Sequence, residues 1–146
     1  MKLEIDNKAQ VFSILNQILE MEMAGVVRYT HYSLMIFGHS RIPIISWMRD
    51  QAQESLNHAQ QAGEMITHFG EHPSLKIAKL TETHQHDINA ILEESLEHEV
   101  ASLALYRQLL DLVRDKSVML EEYARGLIVE EEMHIGEVEK MLKKPF

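Results

Sequence analysis

The chain has 146 residues, enough for one domain with a full hydrophobic core, and its 45% apolar and 25% charged residues are those of a globular protein. A formal net charge of −9, with no block of Lys or Arg, argues against nucleic acid or an anionic membrane surface as a partner. The absence of cysteine removes disulfides, iron–sulfur clusters and zinc–thiolate sites on ligand grounds. The segment MKLEIDNKAQ carries no secretory pattern, and no apolar run approaches the roughly 20 residues that cross a bilayer. A single cytoplasmic domain over residues 1–146 is therefore expected.

Glycines and prolines fall at a few boundaries and divide the chain into four predicted helices. Helix A starts at Asn7 or Lys8, behind Asp6 and Asn7 as capping candidates, and stops near Gly38; its inward stripe is Val11, Leu15, Ile18, Glu22, Val26 and Tyr29. Helix B starts around Pro43, a favoured first-turn position, and stops at Gly70, with Trp47, Gln51, Glu54, His58, Ala62 and Met65 on one face. A joint from Glu71 to about Thr83 follows. Helix C runs from His84 to Arg114 with Ile88, Leu92, Leu96, Glu99, Leu103, Tyr106 and Leu110 in register. Asp115 and Lys116 break the chain, Ser117 caps, and helix D reaches Leu142 with Leu120, Ala124, Leu127, Glu131, His134 or Ile135, and Val138. No segment alternates with a period of two. Short, long and short connections predict an all-α antiparallel four-helix bundle with one crossover between helices B and C.

Glutamates inside apolar stripes are the informative anomaly, because a buried carboxylate costs several kcal/mol unless a cation or strong donors compensate it. The interval from Glu22 to Glu54 and from Glu99 to Glu131 is the same, 32 residues, and His58 and His134 follow just beyond. Tyr29 and Tyr106 each stand seven residues after a leading glutamate, two turns along the same face. One Glu-x-x-His pair alone is commonly a solvated face. Four carboxylates and two imidazoles on inward stripes of four helices suit a pair of hard-to-borderline cations, iron or manganese. Glu22 and Glu99 are then terminal ligands, Glu54 and Glu131 bridge, and Tyr29 and Tyr106 stand beside them as hydrogen-bond partners or electron donors.

Other residues have plainer readings. Met21, Met23, Met35 and Met48 suit gap-filling in a helical core. Trp47 is a core residue or an interface anchor. His84 and His86 fall near the start of helix C, where exposure is expected. His31 and His98 flank the stripes, which assigns them surface or capping roles. No nucleophile elbow, phosphate-binding loop or dinucleotide fingerprint is present.

Several segments together resemble bacterioferritin-type members of the ferritin-like superfamily over nearly the whole chain: Met21-Glu22-Met23 with Tyr29, Ser55-Leu56-Asn57-His58-Ala59, Gly70-Glu71-His72-Pro73-Ser74-Leu75, Leu96-Glu97-His98-Glu99-Val100, Leu120-Glu121-Glu122-Tyr123 and Glu130-Glu131-Glu132-Met133-His134-Ile135. The resemblance implies oxidation of Fe(II) by dioxygen or peroxide at a di-iron centre held by Glu22, His58, Glu99, Glu131 and His134, with Tyr29 beside it. It also implies storage of the ferric product in a homo-oligomeric shell. Two departures stand out. Family helix B has Glu-x-x-His, whereas Ser55 stands three before His58 and Glu54 four before. Either Glu54 bridges the metals or it points elsewhere and leaves an asymmetric five-ligand centre. The position of the haem-binding methionine is Leu56, or Ser55 if Glu54 is the ligand, so haem is not expected.

Three functions follow in order: a ferroxidase; a rubrerythrin-like peroxidase or oxidoreductase, which without cysteine requires a separate electron donor; and a metal-free structural or DNA-compacting bundle. The last is disfavoured by the few basic residues at either end, Lys2 and Lys8 or Lys140, Lys143 and Lys144. The chain ends at Phe146 without the short fifth helix of large shells, leaving a dimer, a 12-mer and a 24-mer open.

Overall fold

A computed structural model describes residues 1–143 of the chain. Lys144 and Phe146, invoked above, lie outside the described residues. Four helices and no strand are present among them: α1 (Lys8–Met35), α2 (Arg41–His68), α3 (Ile88–Val113) and α4 (Val118–Leu142). None is long and apolar enough to cross a membrane.

Helix ends show why the elements stop where they do. α1 ends three residues before Gly38 because Ile36 turns inward in extended conformation and is fully buried. The carbonyls freed there are satisfied by the Arg41 guanidinium, which donates to Ser33 O at 3.0 Å and Ile36 O at 2.8 Å. α2 starts at Arg41 rather than at Pro43, and the proline still falls in the first turn, where its missing N–H has no helical partner to lose. Its far end is a Schellman turn: Gly70 N–H donates to Thr67 O at 3.0 Å, Glu71 N–H donates to Ile66 O at 3.1 Å, and Gly70 takes φ +82°, which a glycine adopts without a Cβ penalty. α3 begins at Ile88, later than the expected His84. His84 sits at φ 56°, a left-handed conformation that interrupts a right-handed helix, and Asp87 is the cap, accepting from Ala90 N–H at 3.1 Å. Ser117 caps α4 as expected, accepting from Leu120 N–H at 3.3 Å.

Cross-helix pairs fix the topology. Tyr29 meets Glu99 while Tyr106 meets Glu22, so α3 runs antiparallel to α1. Arg49 reaches Ser33 and Phe69 packs on Phe12, so α2 is also antiparallel to α1. α2 and α3 therefore point the same way, and residues 69–87 must travel the length of the bundle between them. They do so along α1: Ser74 N–H donates to Asn16 Oδ1 at 2.7 Å, Ala78 N–H to Glu20 O at 2.9 Å, and Glu82 meets His31 at 2.9 Å. This is the ferritin-like bundle with one crossover.

The interior is not one continuous apolar mass. One cluster contains Val11, Leu15, Ile66, Leu109 and Leu120, and a second contains Tyr29, Ile36, Met48, Ile91 and Val138. Between them lies a belt of buried polar side chains, including Glu22, Ser55, His58, Ser95, His98, Glu99, Ser102 and Glu131. Met48 fills the core completely and Met21, Met23 and Met35 are partly buried, whereas Met1, Met119, Met133 and Met141 are exposed.

Candidate metal centre

Each helix contributes to this belt at least one potential ligand where an apolar residue would otherwise stand. Glu22 comes from α1, His58 from α2, Glu99 from α3, and Glu131 with His134 from α4. The three carboxylates are 3%, 6% and 3% exposed in chain order, and no lysine or arginine is among the buried residues described. His58 Nδ1 lies 3.7 Å from Glu22 Oε1 and 3.5 Å from Glu131 Oε1, close enough for one cation to be shared by the three. His134 Nε2 lies 3.6 Å from Glu99 Oε1, forming a second half. Glu131 stands between the halves, and its Oε2 is shut off from water with no hydrogen-bond partner. A buried carboxylate oxygen without a donor is the kind of acceptor a cation satisfies, so Glu22, His58 and Glu131 fit one such ion, with Glu99 and His134 paired beside it.

Because α1 and α3 are antiparallel, the tyrosines serve the glutamates crosswise. Tyr29 donates to Glu99 Oε1 at 2.5 Å, and Tyr106 donates to Glu22 Oε1 at 3.0 Å. Tyr29 Oη is also 3.2 Å from His134 Nε2, and Trp47 stacks flat on the His134 ring with centroids 5.6 Å apart, fixing its plane. Trp47 is thus a wall of the site as well as a core residue.

Burial raises the pKa of two of the carboxylates, Glu22 and Glu99. Glu22 is raised by desolvation, with His58 opposing, and Glu99 is pushed well up by desolvation and then by Glu131. Burial and the neighbouring carboxylates also push the Tyr29 and Tyr106 phenols well up, so both remain protonated donors. Burial alone would lower His58, but Glu131 and Glu22 beside it raise it to about 11. His134 is lowered by desolvation and has a lone pair to offer.

Of the two alternatives for Glu54, the geometry matches the one in which it points away from Glu22 and Glu131 rather than bridging. Its carboxylate is 49% exposed and lies 4.0 Å from His58 Nε2, on the opposite side of that ring from Glu22 and Glu131. Four residues before His58 is one position further round the helix than three, and Ser55 takes the inward position, 5% exposed. Glu54 instead joins Glu130, whose Oε2 is 2.8 Å from His58 Nε2, in an outer group beside a narrow cleft. Sequence reading missed Glu130, which precedes an inward residue and gave no periodic signal. It also misjudged His98, which is buried at 8% exposure rather than placed at the surface. Ser95, His98 and Ser102 repeat at helical spacing, a polar stripe that could have revealed it.

Close packing surrounds this layer. A Cβ built on Gly25 would stand 2.7 Å from Ser55 Oγ and 3.1 Å from His98 Nε2. Gly25→Ala is expected to destabilise the protein by about 1–3 kcal/mol through overpacking, read as a lowered urea midpoint; an unchanged midpoint would mean the layer is slack.

The fold and this belt define a carboxylate-cored helical bundle with a single crossover. The chain belongs to the ferritin-like family: the family described as "Ferritin-like domain" matches residues 12–145. It is 27% identical over 135 residues to a bacterioferritin of Desulfovibrio desulfuricans, covering 89% of this chain and 73% of that protein. A solved structure of D. desulfuricans bacterioferritin, described with its diiron site in different catalytic states, superposes with a TM-score of 0.80 at 26% identity, covering 94% of this chain and 80% of that one. A ferritin-like diiron-carboxylate protein of Bacillus anthracis gives a TM-score of 0.89 at 18% identity, over 95% of this chain and 99% of that one.

Proposed function

We propose that this chain is a ferroxidase of the iron-storage type, with Fe(II) as its substrate. One observation carries the reading: three carboxylates are buried in one layer with His58, His134 stands half-buried beside them, and no lysine or arginine is among the buried residues described. Glu22, His58 and Glu131 would hold one iron, and Glu99 and His134 the other, with Glu131 shared. Two Fe(II) each give up one electron and leave as Fe(III), and the electron pair with two protons reduces dioxygen to hydrogen peroxide or hydrogen peroxide to water. The chain's own part is to hold two cations in a dry layer, keep Tyr29 and Tyr106 as donors to the terminal carboxylates, and retain sites for the oxidant. Ser55 makes the centre asymmetric, with one bridging carboxylate, while Glu54 and Glu130 form an acidic approach to His58 from outside. The same donors suit manganese.

Exposed apolar side chains at the α1–α2 turn (Leu34, Phe37, Ile42) and on α4 (Val129, Met133) support assembly with further copies. Anaerobic loading is expected to give about two Fe(II) per chain, as a dinuclear centre requires. Native mass spectrometry of the iron-loaded protein then separates the alternatives. A large hollow assembly accords with storage, and a monomer binding no iron would sink the reading. A rubrerythrin-like oxidoreductase with a separate donor is the second reading. It draws on the two tyrosines, each hydrogen-bonded to a belt carboxylate, as its electron donors.

A further inference from the structure

Away from the belt, the crossover brings a second set of ligating side chains onto α1. His31 projects from α1, and Glu82 and His86 come from the crossover just before α3. His31 Nε2 lies 2.9 Å from Glu82 Oε2, and His86 Nε2 lies 3.5 Å from Glu82 Oε1, so two ring nitrogens converge on one carboxylate. The three donor atoms all lie within 4.8 Å of one another. Metal–ligand bonds of about 2.0–2.1 Å in a tetrahedron set donor atoms roughly 3.4 Å apart, so small side-chain adjustments suffice to seat an ion.

Hydrogen bonding within the chain does not complete this group. His86 Nε2 is excluded from water and makes no hydrogen bond, because its approach to Glu82 is too poorly aligned. A buried ring nitrogen without a partner is rare and calls for an ion or a donor beside it. Glu82 itself is held in place: its Oε1 accepts from His84 N–H at 2.7 Å, a supporting contact of the sort that orients metal-binding carboxylates. The His84 ring stands 6.4 Å from that of His86, a further imidazole near the group. A cavity of about 170 Å³ adjoins, walled by Tyr32 and Leu80, with Arg28 and Glu94 contributing opposite charges. The Arg28 guanidinium is engaged by Tyr32 at 3.2 Å.

We propose that His31, Glu82 and His86 form a second metal site, for a borderline divalent cation of the zinc type, which pins the crossover to α1. Two imidazoles and one carboxylate select zinc-like ions over calcium or magnesium, and three protein ligands leave a position for water. The site differs from the belt in ligand composition, with two imidazoles to one carboxylate, and in its solvent-facing position. Its occupancy ties the end of the crossover to α1, which residues 69–87 otherwise meet through the hydrogen bonds of Ser74, Ala78 and Glu82, so its effect falls on the crossover.

Zinc is the probe, applied to the full chain. Lys76 and Lys79 are exposed trypsin sites within the crossover. Zinc is expected to slow cleavage there about tenfold or more in the wild type and in Glu99→Ala/His134→Ala, and to have no effect in His31→Ala/His86→Ala. Equilibrium dialysis should show one zinc fewer per chain in His31→Ala/His86→Ala than in the wild type, with Glu82→Gln weakening the same ion. An unchanged zinc stoichiometry in the double-histidine variant would overturn the proposal, as would zinc protection that depends on Glu99 and His134 instead. Neither result would bear on iron oxidation at the belt, which is measured separately.

Discussion

If Glu99 is the terminal ligand proposed above, Glu99→Ala is expected to slow aerobic Fe(II) oxidation by at least about 100-fold, because it removes that ligand and the acceptor of Tyr29 together. His134→Ala is expected to match it, and the double variant should be no worse than either single one if the two residues hold the same ion, as proposed. Glu99→Gln separates chemistry from folding. It preserves the shape of the side chain and the Tyr29 contact while removing a carboxyl that burial pushes well above its usual range. Its metal-free form should be as stable as the wild type or up to about 1–2 kcal/mol more stable at mildly alkaline pH, because a buried charge is no longer forced on the core. Activity and stability therefore move in opposite directions. Stopped-flow oxidation and thermal unfolding measure the two, and oxidation at the wild-type rate in Glu99→Ala would remove the belt from the chemistry.

Metal affinity is expected to rise steeply with pH. In the metal-free protein His58 keeps its proton up to about 11 because Glu131 and Glu22 outweigh the effect of burial, and Glu22 and Glu99 are raised by burial. A cation must displace the protons held there, and each displaced proton makes affinity rise about tenfold per pH unit, or about 100-fold from roughly pH 6 to pH 8. The stability of the metal-free form changes with the opposite sign. Groups whose pKa is raised on folding contribute fully below their unfolded pKa and lose that contribution as pH climbs through the folded one. For His58 this loss continues to about 11, and for Glu99 it runs upward from the ordinary carboxylate range. The difference in unfolding temperature between metal-loaded and metal-free protein should therefore widen as pH increases. Calorimetric titration in buffers of different ionisation enthalpy counts the protons released, and an affinity flat with pH would contradict the protonation described here.

Helical period made most of the belt legible from sequence alone. Glu22, Glu99 and Glu131 interrupt stripes of aliphatic residues, and a stripe position on a long amphipathic helix is a strong constraint on direction. The tyrosines seven residues on were legible for the same reason, though only the antiparallel pairing of α1 and α3 shows that each serves the opposite glutamate. The difference between Glu54 and Ser55 was not legible. One residue is about 100° of rotation, and both fall within the arc that a stripe tolerates. Glu130 was passed over and His98 was assigned to the surface because each directly precedes a stripe residue, although the polar spacing of Ser95, His98 and Ser102 pointed inward. Helix ends were missed where tertiary contacts set them, as with Ile36 turning inward and Arg41 closing the end of α1.

Splitting the apolar interior into two clusters gives the metal-free bundle a seam at mid-height. Each end can hold together through its own aliphatic contacts, while the seam depends on protons shared among acids and imidazoles. A helical rod ordinarily loosens from its tips; here a second soft place is built into the waist. Cations seated in that waist would join the two half-bundles into one mechanical unit, so loading the protein and stiffening it would be the same event.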